Sequence, residues 1–235
     1  MSTSISRRTG DWLAAVTNLV YPRLCLNCRS PLHGRPYPHL CLPCSSRLVY
    51  ADLHELPANS MTDRLRGRLP VSAALALLHY TPVARELIHN LKYERRPAIG
   101  RQLGEQLGEL VAHHPTLSDL DGIVPVPLHP RRRHERGYNQ AEEIAAGVAV
   151  TSGLPVFPRA LKRTVFLGSQ TRLSQAERVE NTRRSFATGS PDLNGRHLLL
   201  VDDVFTTGAT VDFCGNTLLT AYPDARIAVA TLAVV

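Results

Sequence analysis

The chain of 235 residues has no apolar run near the ~18–20 residues that a membrane-spanning helix needs, so an integral membrane protein is not expected. Aromatic residues make up only 6%, too few for a continuous row of base-stacking platforms along a nucleic-acid strand. Internal repeats and low-complexity tracts are absent, which sets aside solenoids, fibres and disordered tails. No GxxxxGK loop occurs and no GxGxxG follows a predicted strand, so neither a P-loop nor a dinucleotide fingerprint is present. Arg7 and Arg8 are followed by Gly10 and Asp11, and Asn18 interrupts the short apolar stretch behind them. The export-signal pattern therefore fails, and a cytoplasmic protein is expected.

What is present is ordinary for a globular protein, at 43% hydrophobic and 20% charged residues. A chain of this length predicts one main domain with a small appendage. The net charge of +7 favours an anionic partner. Part of the excess is local, because Arg131, Arg132, Arg133 and Arg136 stand against Glu135 alone. Such a run is either a solvated face or an anion contact.

Four of the five cysteines form two CxxC knuckles, Cys25 and Cys28 in CLNC and Cys41 and Cys44 in CLPC, within a loop rich in proline. Each knuckle can present two thiolates to one tetrahedral ion, and four thiolates close the site, so a structural Zn²⁺ is predicted. In a reducing compartment these residues are not expected to pair as disulfides. His33 and His39 lie in the same loop and could replace a thiolate. Cys214 reads as a small buried apolar residue.

Periodicity divides the rest of the chain. Trp12, Leu13, Val16, Leu19 and Val20 are spaced as one face of a helix, and with the cysteine module they make up residues 1–50. Residues 51–70 are polar and punctuated by Pro57, Gly67 and Pro70, and read as a linker or an irregular excursion. Residues 71–235 form the main domain. Strands are predicted within Val71–Tyr80, at the start of DGIVPVPLHP, at LLLV and over Arg226–Val235, with a further strand or turn around LPVF in 151–160. Helices are predicted over Val83–Tyr93, Ala98–His113, Asn139–Val150 and Val204–Ala221. Apolar strands alternating with helices indicate an α/β protein, with a parallel sheet of about five strands flanked by helices. Gly100, Gly104 and Gly108 recur every four residues and predict a helix that approaches a neighbour closely.

The densest chemistry is in LLLVDDVFTTGATV, where Asp202 and Asp203 end an apolar strand and Thr206, Thr207, Gly208, Ala209 and Thr210 lead into a helix. Ligands of open parallel sheets bind where strands end. Free N–H groups at a helix start favour a phosphate, hydroxyls add donors, and Gly208 permits close approach. Carboxylates repel a phosphate but accept hydrogen bonds from sugar hydroxyls, so the combination describes a phosphorylated sugar. Two other readings of the spacing remain open, a helix-capping aspartate pair and a carboxylate site for a bare metal ion.

VDDVFTTGAT resembles the 5-phosphoribosyl 1-diphosphate (PRPP) signature of type I phosphoribosyltransferases. VPVPLHPRRRHERGYNQAEEIA, Val124 to Ala145, resembles the PVPL…RGFNQ segment of the competence protein F (ComF) family, with Tyr138 where phenylalanine is usual. Gln170, Thr171, Arg178, Asn181 and Phe186 resemble the Q…R..N…F segment of the same family. With the double CxxC, the resemblance spans nearly the whole chain.

The resemblance implies a type I phosphoribosyltransferase fold with an N-terminal zinc module, and a protein that binds PRPP with Mg²⁺. Asp202 and Asp203 would be the catalytic acids holding the ribose hydroxyls, and Val204, Phe205, Thr206, Thr207, Gly208, Ala209 and Thr210 would surround the 5-phosphate. Pro127, Leu128 and Arg136 would lie near the diphosphate, with Lys92 of the LKY motif reaching the ligand. Leu161–Glu177 would correspond to the mobile hood loop. The implied activity is a PRPP-dependent phosphoribosyltransferase, a glycosyltransferase, serving DNA uptake in natural transformation. The alternative is an accessory protein that binds single-stranded DNA through Arg131 to Arg133, Arg163, Arg172, Arg183 and Arg184 and keeps the PRPP pocket as a regulatory site. DNA-uptake helicase or channel components are the partners implied by the family.

Overall fold

A computed structural model describes residues 22–32, 39–55, 58–163, 186–189 and 191–235. The helix expected over Trp12 to Val20, His33, residues 164–177 of the hood loop, and Arg178, Asn181, Arg183 and Arg184 lie outside the described residues. The chain separates into two compact units, Met1–Leu48 and Val49–Val235.

In the first unit the Cys25 knuckle is a turn in which the Arg29 N–H returns to the Cys25 carbonyl (3.0 Å). Arg29 closes it with a positive φ of 63°. The second knuckle opens the short helix α1 (Leu42–Ser45), with Cys41 as its N-cap and a proline in its first turn. Leu26 and Leu40 are buried beside Cys25 and Cys44.

The second unit is built on four parallel strands: β1 (Ala74–His79), β2 (Gly122–Pro125), β5 (His197–Phe205) and β6 (Arg226–Val234), in the order β1-β6-β5-β2. β3 (Leu161–Arg163) and β4 (Phe186–Thr188) form a separate antiparallel pair. The central strands are buried on both faces, which is why their sequences read as unbroken apolar runs rather than as alternation.

Two sequence expectations need correction. Of the roughly five strands expected, the described residues contain four in the main sheet. The segment around LPVF reaches the edge of β2 only at Val156, a single parallel bridge to Ile123. Pro155 of the segment and Pro125 of β2 carry no N–H where the next rungs on either side of this bridge need a donor, so the ladder does not extend. The second correction concerns the expected linker over 51–70. It folds into a 3₁₀ turn (Asp52–Glu55) and a helix, α2 (Ser60–Leu65). Asn59 caps that helix by accepting from the N–H groups of Met61 and Thr62, and its amide donates to the Ala74 carbonyl at the start of β1. Met61, Leu65 and Leu69 recur every fourth residue and enter the core at 0–2% exposure. Their stripe is hidden in the sequence because Asp63, Arg64, Arg66 and Arg68 stand between them, and Gly67 and Pro70 follow the end of a helix.

Helices α3 (Pro82–Tyr93) and α4 (Pro97–His113) each begin one residue earlier than expected, with proline in the first turn. A short helix not anticipated from the sequence, α5 (Pro130–Arg136), carries the basic run and stops at Gly137, whose φ is 84°. Asn139 then caps α6 (Gln140–Ser152). The glycine stripe acts as expected: a Cβ on Gly104 would lie 2.3 Å from the Ile144 carbonyl oxygen, and one on Gly108 would lie 2.8 Å from that of Val148. α4 and α6 therefore meet backbone to backbone. Strand β5 runs through Phe205, paired with Val234, so the last helix, α7 (Ala209–Ala221), starts five residues later than its periodicity suggests.

Candidate functional site

The C-terminal end of β5 carries Asp202 and Asp203, and the period of two along a strand sends their side chains to opposite faces of the sheet. Asp203 turns toward α3 and α6. It is 5% exposed, and both of its oxygens are engaged. Lys92 Nζ lies 2.6 Å from Oδ1, and the Gln140 amide donates to Oδ2 at 2.8 Å. Asp202 points to the other face, where its Oδ1 accepts the Asp203 N–H at 2.8 Å. Burial, reinforced by the neighbouring Asp203 charge, pushes the Asp202 carboxyl up to about 7. Lys92 and Arg163 oppose that rise.

Arg163, at the end of β3, is the cation on the Asp202 side. Burial pushes its guanidinium below the usual arginine range. The group lies over the Phe186 ring at 5.1 Å, and its Nε is buried with no partner among the described residues. Cys214 of α7 is fully buried, as the sequence suggests, and burial raises its thiol well above the ordinary range.

The RGYNQ stretch is the scaffold of the other face. Gly137 ends α5 and turns the chain, and the Tyr138 hydroxyl donates to the Leu91 carbonyl in the LKY motif. Asn139 Oδ1 accepts the Ala141 N–H while its amide donates to the Val126 carbonyl, fastening α6 to the end of β2. Arg136 donates to Gln140 Oε1 at 2.8 Å and lies 5.1 Å from the Tyr93 ring centroid. Lys92, Tyr93, Arg132, Glu135 and Arg136 line a cavity of about 180 Å³. Lys92 and Arg136, far apart in sequence, thus share one cavity, which Gln140 connects to Asp203. Pro127 and Leu128 follow Val126 as partly exposed residues at the end of β2, the strand next to β5.

The threonine loop forms the turn between β5 and α7. Thr206, Thr207 and Thr210 are exposed, Ala209 is partly exposed, and Gly208 takes a positive φ of 76° as the N-cap of α7. Val204 is partly exposed, whereas Phe205 is a core residue: a Cβ on Gly208 would come within 2.8 Å of the Phe205 ring and 3.1 Å of Leu65.

Residues overlooked in the sequence support this loop from below. Arg64 donates to the Thr206 carbonyl. Arg68 donates to the Thr207 carbonyl at 3.1 Å and pairs with Asp212 at 2.8 Å. Their four-residue spacing beside Leu65 and Leu69 was the available signal, obscured by reading the segment as a tether. Gln140, the last residue of RGYNQ, has no role assigned from the sequence because an amide side chain carries no chemistry until its partners are known.

In the first unit the Sγ atoms of Cys25, Cys28, Cys41 and Cys44 all lie within 4.8 Å of one another. Cys28 and Cys41 approach to 3.5 Å. A tetrahedral ion with ~2.3 Å bonds to sulfur requires edges of ~3.8 Å, so the donor set fits a four-thiolate metal site. Ser30 lowers the Cys28 thiol to about 6, while desolvation pushes Cys41 up to about 12. Asn27 donates to Cys44 Sγ and the Cys41 N–H donates to Cys25 Sγ, contacts that favour thiolates.

Among the described residues, no helix is long and apolar enough to cross a membrane. No protein-family model matches the chain. The structure is similar to that of an adenine phosphoribosyltransferase, with a TM-score of 0.40 and 15% identity over 61% of this chain and 74% of that one. In sequence the chain is 31% identical to competence protein F of Haemophilus influenzae over 57% of its own length and 61% of that protein. It is 32% identical to the DNA utilization protein YhgH of Salmonella typhi over 86% of its own length and 92% of that protein. With that overlap, the chain belongs to the family of DNA utilization protein YhgH and competence protein F.

Proposed function

We propose that the protein binds PRPP or a related phosphoribosyl compound with Mg²⁺, as a phosphoribosyltransferase-like protein serving DNA uptake or utilization in the cytoplasm. The observation that carries this reading is the convergence of Lys92, Arg132 and Arg136 on one cavity tied to Asp203, with the threonine loop at the end of the same strand. The loop suits the 5-phosphate, the two aspartates suit the ribose hydroxyls, and the basic cavity suits a diphosphate. Forked guanidinium groups meet diphosphate oxygens with paired hydrogen bonds. Mg²⁺, a hard ion that prefers oxygen ligands, would neutralise charge on the diphosphate. In a transferase, an acceptor nucleophile would form a bond to C1 of the sugar as the bond to the diphosphate oxygen breaks. The chain's own contribution would be charge stabilisation of that leaving group. The four cysteines are proposed to hold a structural Zn²⁺.

Calorimetric titration of PRPP with Mg²⁺ into the zinc-loaded protein tests the reading, with Asp202→Asn/Asp203→Asn as control. Binding that vanishes in the double variant is expected. Absence of binding to the parent protein sinks the proposal.

A second reading, single-stranded DNA binding without transferase turnover, draws on the exposed helix α5, where Arg131 and Arg132 face solvent beside Tyr93 at 61% exposure. Affinity that falls steeply with salt and survives Asp203→Asn is its expected signature, and salt-insensitive or absent binding removes it.

A further inference from the structure

We infer that Gln140 is a positioning residue that locks Arg136 to Asp203, so that the site recognises the diphosphate and the ribose diol of one ligand as a unit. The inference rests on the phosphoribosyl reading above.

Arg136 carries only donors and the ionised Asp203 carboxylate only acceptors, so a side chain between them must accept on one side and donate on the other. Gln140 does both, with Oε1 at 2.8 Å from Arg136 Nη1 and Nε2 at 2.8 Å from Asp203 Oδ2. A flipped amide would set donor against donor and acceptor against acceptor, so the two partners determine its orientation. Gln140 is 7% exposed and Asp203 5%, which places the bridge where hydrogen bonds are little weakened by water. Its backbone is equally constrained, since Gln140 opens α6 directly after Asn139, the cap held by the Val126 carbonyl.

The other Asp203 oxygen belongs to Lys92, which lines the same cavity as Arg136. Asp203 thereby holds two of the three cavity cations, Lys92 directly and Arg136 through Gln140. A ligand that draws Arg136 or Lys92 toward its diphosphate changes the hydrogen bonding left on Asp203, the carboxylate proposed for its ribose hydroxyls. Phosphate ester and diol are in this way read together.

Gln140→Glu provides the test. The new carboxylate still accepts from Arg136 but cannot donate to Asp203. Once protonated it again has one donor and one acceptor oxygen. Such a carboxyl, facing Asp203 and Asp202 of β5, Lys92 of α3 and Arg136 of α5, takes up a proton as pH falls toward ~5.5.

PRPP with Mg²⁺ is titrated calorimetrically into the parent protein, Gln140→Glu and Gln140→Leu at about pH 7.5 and about pH 5.5. Affinities are compared with the parent at the same pH, so the titration of Asp202 and of the ligand cancels. The expected result is a loss of about tenfold or more for both variants at the higher pH, the scale of one charge-assisted hydrogen bond. At the lower pH the deficit of Gln140→Glu should close to within about threefold while that of Gln140→Leu persists. A folding defect would not recover on acidification. A Gln140→Glu deficit that is absent, or equal at the two pH values, overturns the inference and leaves the phosphoribosyl reading intact. A parent protein that binds no PRPP overturns both.

Discussion

Lys92 Nζ lies 2.6 Å from Asp203 Oδ1, an ion pair that joins the LKY motif of α3 to the acidic motif of β5 with both side chains largely withdrawn from water. Removing one partner of such a pair leaves the other charge buried and under-compensated. Lys92→Met is therefore expected to cost about 2 kcal/mol or more in a denaturant titration. The double variant Lys92→Met/Asp203→Asn should recover part of that loss. Equal stability of the parent and Lys92→Met would show that the pair contributes nothing.

Asp202 makes stability depend on pH in a predictable direction. Its folded carboxyl is raised to about 7 against 3.8 for an unperturbed one, so between these values the folded state binds the proton and the unfolded state releases it. The contribution of Asp202 is most favourable below the unfolded value and is lost as pH rises to about 7. Asp202→Asn should flatten this slope and stabilise the free protein near pH 8 by at least about 1 kcal/mol. Denaturant titrations on either side of the window give the answer, and an unchanged slope contradicts it. Ligand binding that needs the carboxylate ionised should strengthen through the same window.

The first unit should carry one zinc ion per chain, measurable by elemental analysis of protein purified without added metal. Cys25→Ser or Cys44→Ser, at the two buried thiols, should abolish it. Zinc binding to the apoprotein should release protons into weak buffer, because the ion takes thiolates. Stoichiometric metal retained in either variant contradicts a four-thiolate site.

The contact between α4 and α6 leaves no room for a methyl group at Gly104, where the obstacle is backbone at 2.3 Å. Gly104→Ala is expected to destabilise by about 2–3 kcal/mol despite the better helix propensity of alanine. At Gly100 the nearest atom is the Leu91 Cδ1 at 3.0 Å, the end of a side chain that can shift. Gly100→Ala should therefore cost less, and thermal melts that rank the two the other way would refute the close-packing account.

Arg68 holds the Thr207 carbonyl and Asp212 at once. Arg68→Ala should weaken binding of ribose 5-phosphate about three- to tenfold and lower stability by about 1 kcal/mol. Arg66→Ala, which removes only an exposed pair with Asp63, should change neither. Indistinguishable titrations of Arg68→Ala and the parent would remove Arg68 from the support of the loop.

Most of the fold was legible in the chain because its signals are local. Proline in the first turns of α3 and α4, the glycine ladder of α4 and the apolar runs of β1, β5 and β6 each state their structure within a dozen residues. Where reading failed, the information was not local. Met61, Leu65 and Leu69 declare a buried stripe only once β5 and α7 supply the surface they cover. The strand expected at LPVF depends on a ladder that Pro155 and, across from it in β2, Pro125 interrupt.

The site divides in the same way. The chain by itself determined which chemistry is present: two acids at a strand end, a threonine and glycine turn suited to an anion, a cluster of arginines, and four thiols at metal-ligand spacing. Residue type and spacing suffice there because hydrogen-bonding capacity and backbone freedom are properties of the residues themselves. Only the tertiary structure decided the pairing. It sent Asp202 and Asp203 to opposite faces of the sheet, gave Asp203 to Lys92 and Gln140 while Asp202 faces the Arg163 side, and brought Arg64 and Arg68 beneath the threonine loop. Electrostatic and hydrogen-bond energies depend on distances of a few ångströms between residues remote in sequence, and those distances exist only after the parallel strands have been placed side by side.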